Sequence, residues 1–365
     1  MGLLDVHLHE EPAITAIRKT AIRTTLTASC CAAALLGTVT ACGTVENITA
    51  GKKVERAVDK LAEQRSLSFE LSLDADPDVL DELMADSAGD TPPGEGPPPG
   101  FADFLSDARI SVSVQSKKPL SASSEKDIVG TSMSIAGADG ELVEYRLVGD
   151  TAYFRADTAA VGKAMGFPMP TADQLPKEAA PLKAALEGKW VKIDQAALEE
   201  AQKDAGEPEA KPSLDAKTER KLTRALKSVI AREVTFKDKG SKDGVDHVTA
   251  KANARDLLTG IFDKLGPLTD ELPPGAELPT AKDFKDVPDK KIAIDFAVKN
   301  DALDAITFDL AQLAGKSDGL KKGTKLPLSV KFGEGKKVTA PAGATELDLG
   351  LLMGMSPLGY SALEG

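Results

Sequence analysis

Aromatic residues make up only 4% of the chain, and Trp190 is its sole tryptophan. A stacking platform for sugars or bases needs several such rings close together, so the composition argues against that class of binding. Basic charge is also in deficit, with 45 Lys and Arg against 57 Asp and Glu, a formal net charge of −12. Nucleic acid requires a basic footprint, and a net charge of this sign argues against one. Histidine and cysteine occur three times each. After residue 42 every apolar run is short and interrupted by charge, so no helical membrane span is expected.

What is present begins at the N-terminus. Arg18, Lys19 and Arg23 precede an uncharged stretch from Thr24 to Val39 that is rich in Ala, Leu, Thr and Cys. That order is a signal-peptide pattern. It ends in Val39-Thr40-Ala41-Cys42, an aliphatic residue, two small residues and a cysteine, which resembles a lipobox. Cleavage before Cys42 would follow attachment of diacylglycerol to its sulfur; Val39-Thr40-Ala41 also reads as an ordinary export-peptidase site. Cys30 is preceded by too little apolar sequence to serve. Residues 1 to 17 are a long leader, and no function is read into them.

Removing residues 1 to 41 takes away Cys30 and Cys31, so the mature chain retains Cys42 alone and cannot close an internal disulfide. It also removes three acids (Asp5, Glu10, Glu11) and three bases (Arg18, Lys19, Arg23), leaving the net charge unchanged. The two or three acyl chains of a lipoprotein cysteine anchor stably where one would not. The expected location is the extracytoplasmic face of a cell membrane.

Residues 42–51 read as a tether. Val54, Ala57, Val58, Leu61 and Ala62 then recur at helical spacing. Leu67, Phe69, Leu71 and Leu73 alternate with polar residues, as in a strand buried on one face. Further strands are expected around Ile110, Val112 and Val114, at Met133 and Ile135, and at Val143, Tyr145 and Leu147, which lead through Gly149-Asp150 into Tyr153 and Phe154. Residues 189–193 read as a short Trp strand, and Leu214 to Val229 as a second helix. Hairpins follow around 240–244 and Asn300-Asp301, with Asn253 placed to cap a helix carrying Leu257, Leu258, Ile261, Phe262 and Leu265. A last strand holds Leu326, Leu328, Val330 and Phe332. Strands joined by short turns with few helices indicate an α+β fold on a largely antiparallel sheet covered on one face. The domain is expected over 52–348, with polar insertions near 77–105, 156–187 and 194–213 and a tail at 349–365.

This order of parts, including the hairpin from Lys239 to His247 and the closing Phe332-Gly333-x-Gly335-x-x-Val338-x-x-Pro341, resembles the mycobacterial LppX/LprG lipoprotein family. The resemblance implies a curved antiparallel half-barrel, with helices covering a concave face that forms an apolar cavity. It also implies acylated lipids or lipoglycans as ligand, carried outward from the membrane. Ile110, Val112, Val114, Val143, Tyr145 and Leu147 would line that cavity. The long polar insertions and the low aromatic content depart from the family pattern. An open alternative is a surface interaction or structural lipoprotein with a filled core and an envelope protein as partner.

Enzymatic motifs fail on inspection, and no catalytic residue, metal or cofactor is expected. A nucleophile needs a base beside it, and His247 lies on the strand face opposite Val248, Ala250 and Ala252. Ser123-Ser124-Glu125-Lys126 has the Ser-x-x-Lys spacing but lacks Ser-Asp-Asn and Lys-Thr-Gly partners. The His7 to Glu11 cluster precedes the export signal. Asp74, Asp76 and Asp78 have calcium-loop spacing, yet Val79 stands where Gly is needed and Ala85 where Glu is. The glycines from 94 to 100 alternate with prolines, which lack the amide hydrogen a phosphate loop requires.

Overall fold

The computed structural model describes residues 45–87, 97–166, 169, 171–174, 180–194, 216–267, 279, 284, 287, 289–314, 320–321 and 323–347. The expected signal peptide, Cys42, the tail at 349–365 and most of the 194–213 insertion lie outside the described residues.

Seven helices and twelve strands are described: α1 (Val45–Ala62), β1 (Ser66–Leu73), α2 (Pro77–Ser87), α3 (Phe101–Asp107), β2 (Arg109–Ser116), β3 (Ile128–Gly137), β4 (Gly140–Val148), β5 (Thr151–Ala156), α4 (Thr158–Met165), α5 (Ala180–Leu186), β6 (Val191–Asp194), α6 (Ala216–Glu233), β7 (Thr235–Lys242), β8 (Val245–Asn253), α7 (Ala254–Leu265), β9 (Lys291–Lys299), β10 (Ala302–Asp309), β11 (Pro327–Glu334) and β12 (Thr345–Glu346). All strands form one sheet in the order β12-β6-β5-β4-β3-β2-β1-β11-β10-β9-β8-β7. Every pairing is antiparallel except β12 with β6. The fold is α+β on a large antiparallel sheet, as the strand patterns indicate.

Register explains the single apolar face. Directly opposed residues in an antiparallel ladder point to the same side, and one such row runs Ala156, Val143, Ile135, Ile110, Leu71, Val330, Ile306, Phe296, Val248 across nine strands. Period-two alternation puts most of the Ser and charged residues of β1 to β4 on the reverse face.

Three hairpins follow from turn chemistry. Asp243-Gly244 and Asn300-Asp301 have positive φ at both central residues, matching the type I′ turn whose twist suits paired strands. Gly149 opens the third at φ 58.

Helix α1 begins at Val45, inside the stretch expected to be tether. Its first turn is held by the Asn47 carboxamide, whose Oδ1 accepts the Phe236 N–H at 2.6 Å. Ala50, Val54, Ala57, Val58 and Leu61 then pack with Leu67, Phe236, Val248, Phe296, Val298 and Leu303 as the principal core. Ile230 of α6 and Leu257 of α7 rest against the same cluster. A second cluster joins Leu80 of α2 and Ala102 of α3 to Leu326 and Leu73.

The ranges expected to be polar insertions therefore carry four helices. Pro77 opens α2 in the first-turn position that tolerates a missing N–H, while the Asp76 carboxylate accepts the Asp78 N–H at 3.0 Å. Asp157 caps α4 by accepting the Ala160 N–H at 2.9 Å, and Gly166 ends it at φ 69.

Candidate functional site

The six residues expected to line a cavity share one stretch of the apolar face. Ile110, Val112 and Val114 are on β2, Val143, Tyr145 and Leu147 on β4, and Ile135, Met133 and Thr131 of β3 stand between them in register. Val112 and Val114 are buried; Ile110, Val143, Tyr145 and Leu147 are half-buried. None of the six belongs to either packed cluster of the described residues. The core thus closes under α1 at β7 to β10, while the same apolar face continues across β2 to β4 with partial cover. Phe154, opposite Tyr145 on β5, is an exposed large apolar residue at that margin.

Two polar groups lie on this face. Burial raises the Tyr145 hydroxyl above the ordinary phenol range. Thr131, 6% exposed and flanked in register by Val114 and Leu147, has a buried Oγ1 that finds no hydrogen-bond partner among the described residues. A buried hydroxyl left so costs about 1–3 kcal/mol, which makes it a pointer to a missing partner.

The reverse face of the same strands carries a cluster of paired charges. Glu144, with an 8% exposed side chain, accepts from Arg146 at 2.9 Å and from Arg155. The two guanidinium carbons lie 4.6 Å and 5.4 Å from the Trp190 ring centroid. Arg155 also pairs with Glu141 at 3.1 Å, and Arg146 donates to the Thr339 carbonyl at 3.3 Å. Beside this cluster is a cavity of about 280 Å³ lined by Glu141, Arg155, Asp157, Ala159, Leu186, Glu187 and Gly188. It is polar and contains none of the six expected lining residues.

The remaining sequence motifs fall into structural roles. Ser124 offers both its N–H (3.0 Å) and its hydroxyl (2.8 Å) to the Asp127 carboxylate, which Lys118 also meets at 2.9 Å. The Ser124 backbone bond, then Lys118, lower the Asp127 carboxyl to about 2. His247 stands opposite Ala297 and Gly240, on the face away from Val248. Asn253 caps α7 by accepting the Asp256 N–H at 3.2 Å. Among the described residues no group of three or more His, Cys, Asp and Glu side chains could hold a metal ion, and no helix is long and apolar enough to cross a membrane.

No protein-family model matches the chain. No curated protein matches it either. Among solved structures it is similar to the Mycobacterium tuberculosis lipoprotein LppX at 10% identity and a TM-score of 0.29, over 80% of this chain and 97% of that one.

Proposed function

We propose that this chain is an exported, non-enzymatic lipoprotein, anchored through Cys42 on the extracytoplasmic face of a cell membrane, that binds or carries acylated lipid on the apolar face of β2 to β4. The observation that carries this reading is the continuity of that face beyond the packed core. Ile110, Val143, Tyr145 and Leu147 extend the apolar row yet stay half-buried and outside both clusters. Burial of acyl methylenes against them would supply affinity at about 0.8 kcal/mol each. The Thr131 hydroxyl, without a partner among the described residues, suits a ligand with an acceptor such as an ester carbonyl, which a bare hydrocarbon lacks. No catalytic group, cofactor or metal is required.

The mapped cavity favours a second reading. Its lining is polar and sits apart from the six residues, as expected if the sheet covers only its own side chains and the protein acts by contacting another envelope protein.

Lipid extraction separates the two. Protein from Gly43 onward, purified without detergent from a lipid-containing host, should retain lipid at a substantial fraction of one per chain, and Val143→Trp should reduce it with the melting temperature little changed. In a filled core the same enlargement would cost about 1–3 kcal/mol. Trace lipid together with a lowered melting temperature would place Val143 in ordinary core and favour the second reading. The anchor is tested separately by growth on labelled fatty acid, where Cys42→Ser should lose both label and membrane retention.

A further inference from the structure

Only Gly43 and Thr44 separate Cys42 from a helix that is docked on the sheet. Three residue steps reach at most about 11 Å, little more than a headgroup layer, which is about 5–8 Å per leaflet. A cysteine acylated as proposed above therefore brings the start of α1 to the membrane surface, because the helix cannot swing away from the strands it packs against. Asn47 fixes that start to Phe236. Phe236 pairs with Ala250 and Ala250 with Ile294, so the same end of the sheet also contains Lys251 and Lys291.

The chemistry of this end suits a membrane. Val45 (82%) and Leu313 (38%) are two of the three exposed large apolar residues of the described structure. Leu313 is held at this end because Gln312 bonds both the N–H and the carbonyl of Ala293, at 2.7 Å and 2.9 Å. Lys290 reaches the neighbouring Ala314 carbonyl at 2.9 Å. Lys251 and Lys291 are exposed and make no ion pair among the described residues. Two nearby acids are already engaged, Asp289 by Asn253 and Glu233 by Arg232, while Glu46 and Asp256 stand at helix starts.

We infer that the sheet end bearing Val45, Lys251, Lys290, Lys291 and Leu313 rests on the membrane, its aliphatic side chains in the interface and its lysines on anionic lipid headgroups. The inference rests on the Cys42 anchor of the preceding reading. On a chain of net charge −12, such a contact also keeps the acidic remainder pointed away from an anionic surface.

The test is lysine acylation by a soluble reagent, read by mass spectrometry on the full lipidated protein. It would be placed in vesicles of phosphatidylcholine with about one-third phosphatidylglycerol, in pure phosphatidylcholine vesicles, and in detergent. Lys251, Lys290 and Lys291 should react more slowly in the anionic vesicles than in detergent, by about fivefold each. Lys299, at the opposite end of β9, and Lys336 and Lys337, just past the opposite end of β11, should not change. Lys251→Glu with Lys291→Glu should restore Lys290 reactivity. Equal reactivity at both ends of a fatty-acid-labelled protein overturns the orientation and leaves the anchor standing. Protection that persists in pure phosphatidylcholine, or in the double variant, overturns the headgroup contact. Absence of label removes anchor and orientation together.

Discussion

Glu144 shows how a single residue can bind three strands that sequence reading treats separately. Its carboxylate, on β4, is enclosed by Arg146 of the same strand and Arg155 of β5, with Trp190 before β6 under both guanidinium groups. Removing a buried charge from its partners is costly because the partners remain. Here each arginine is about one-third exposed, 30% and 36%, so water offsets part of that loss. Glu144→Ala should therefore destabilise by about 2 kcal/mol, and Glu144→Gln by less, because an amide oxygen still accepts from a guanidinium. Urea denaturation of the three proteins would measure this. Equal midpoints for wild type and Glu144→Ala would show the cluster to be a solvated surface network. Nothing in the spacing of 144, 146, 155 and 190 announces the site, since only the β4 to β6 register brings it together.

At the scale of elements, turns and periodicity carry most of what the sequence discloses. The Asn300-Asp301 and 240–244 hairpins, the Asn253 cap and the helices around Val54 and Val229 are legible because each rests on local chemistry. The start of α1 is not, because Val45 to Gly51 has no apolar periodicity and is held by Asn47 bonding to a strand far along the chain. Helices α2 and α4 were within reach, given Asp76-Pro77 at one start and Asp157 with Gly166 at either end of the other. A polar composition hides them among insertions. The β1–β11 and β12–β6 pairings depend on contacts across the chain and leave no local trace. Turn chemistry also supports a prediction. Asp301 adopts φ 60, which an L side chain occupies at a cost, and the type I′ turn prefers Asn-Gly. Asp301→Gly should thus raise stability by about 0.5 kcal/mol, visible as a small rise in melting temperature; a fall would mean that the Asp301 side chain contributes more than its backbone strain costs.

For the molecule as a whole, a sheet of twelve strands with ends at β12 and β7 leaves edges that a closed barrel would not have. The β12 end is only two residues long, whereas β7 presents eight. An edge of that length is a template for pairing with a second chain unless something prevents it. Strand β7 carries Lys237, Lys239 and Lys242, all exposed, and its pairing with β8 shifts between Asp238 and Gly240, where Lys239 is the additional residue and Gly240 takes φ 84. Charge and a bulge are two of the ways sheets protect such an edge. Lys53, whose ammonium bonds Asp238 at 2.7 Å and Asp246 at 3.2 Å, fixes α1 against the bulged segment and is itself raised in pKa, chiefly by the Asp238 bond. Deleting Lys239 together with Lys237→Val should straighten the strand and remove charge at once, producing concentration-dependent association in light scattering, while wild type keeps one mass across the same range. If only the deletion associates, the bulge with its own Lys239 is the guard; if only Lys237→Val does, the charge at 237 is. A variant pair that stays at the wild-type mass would show that β7 is protected by something other than its own sequence.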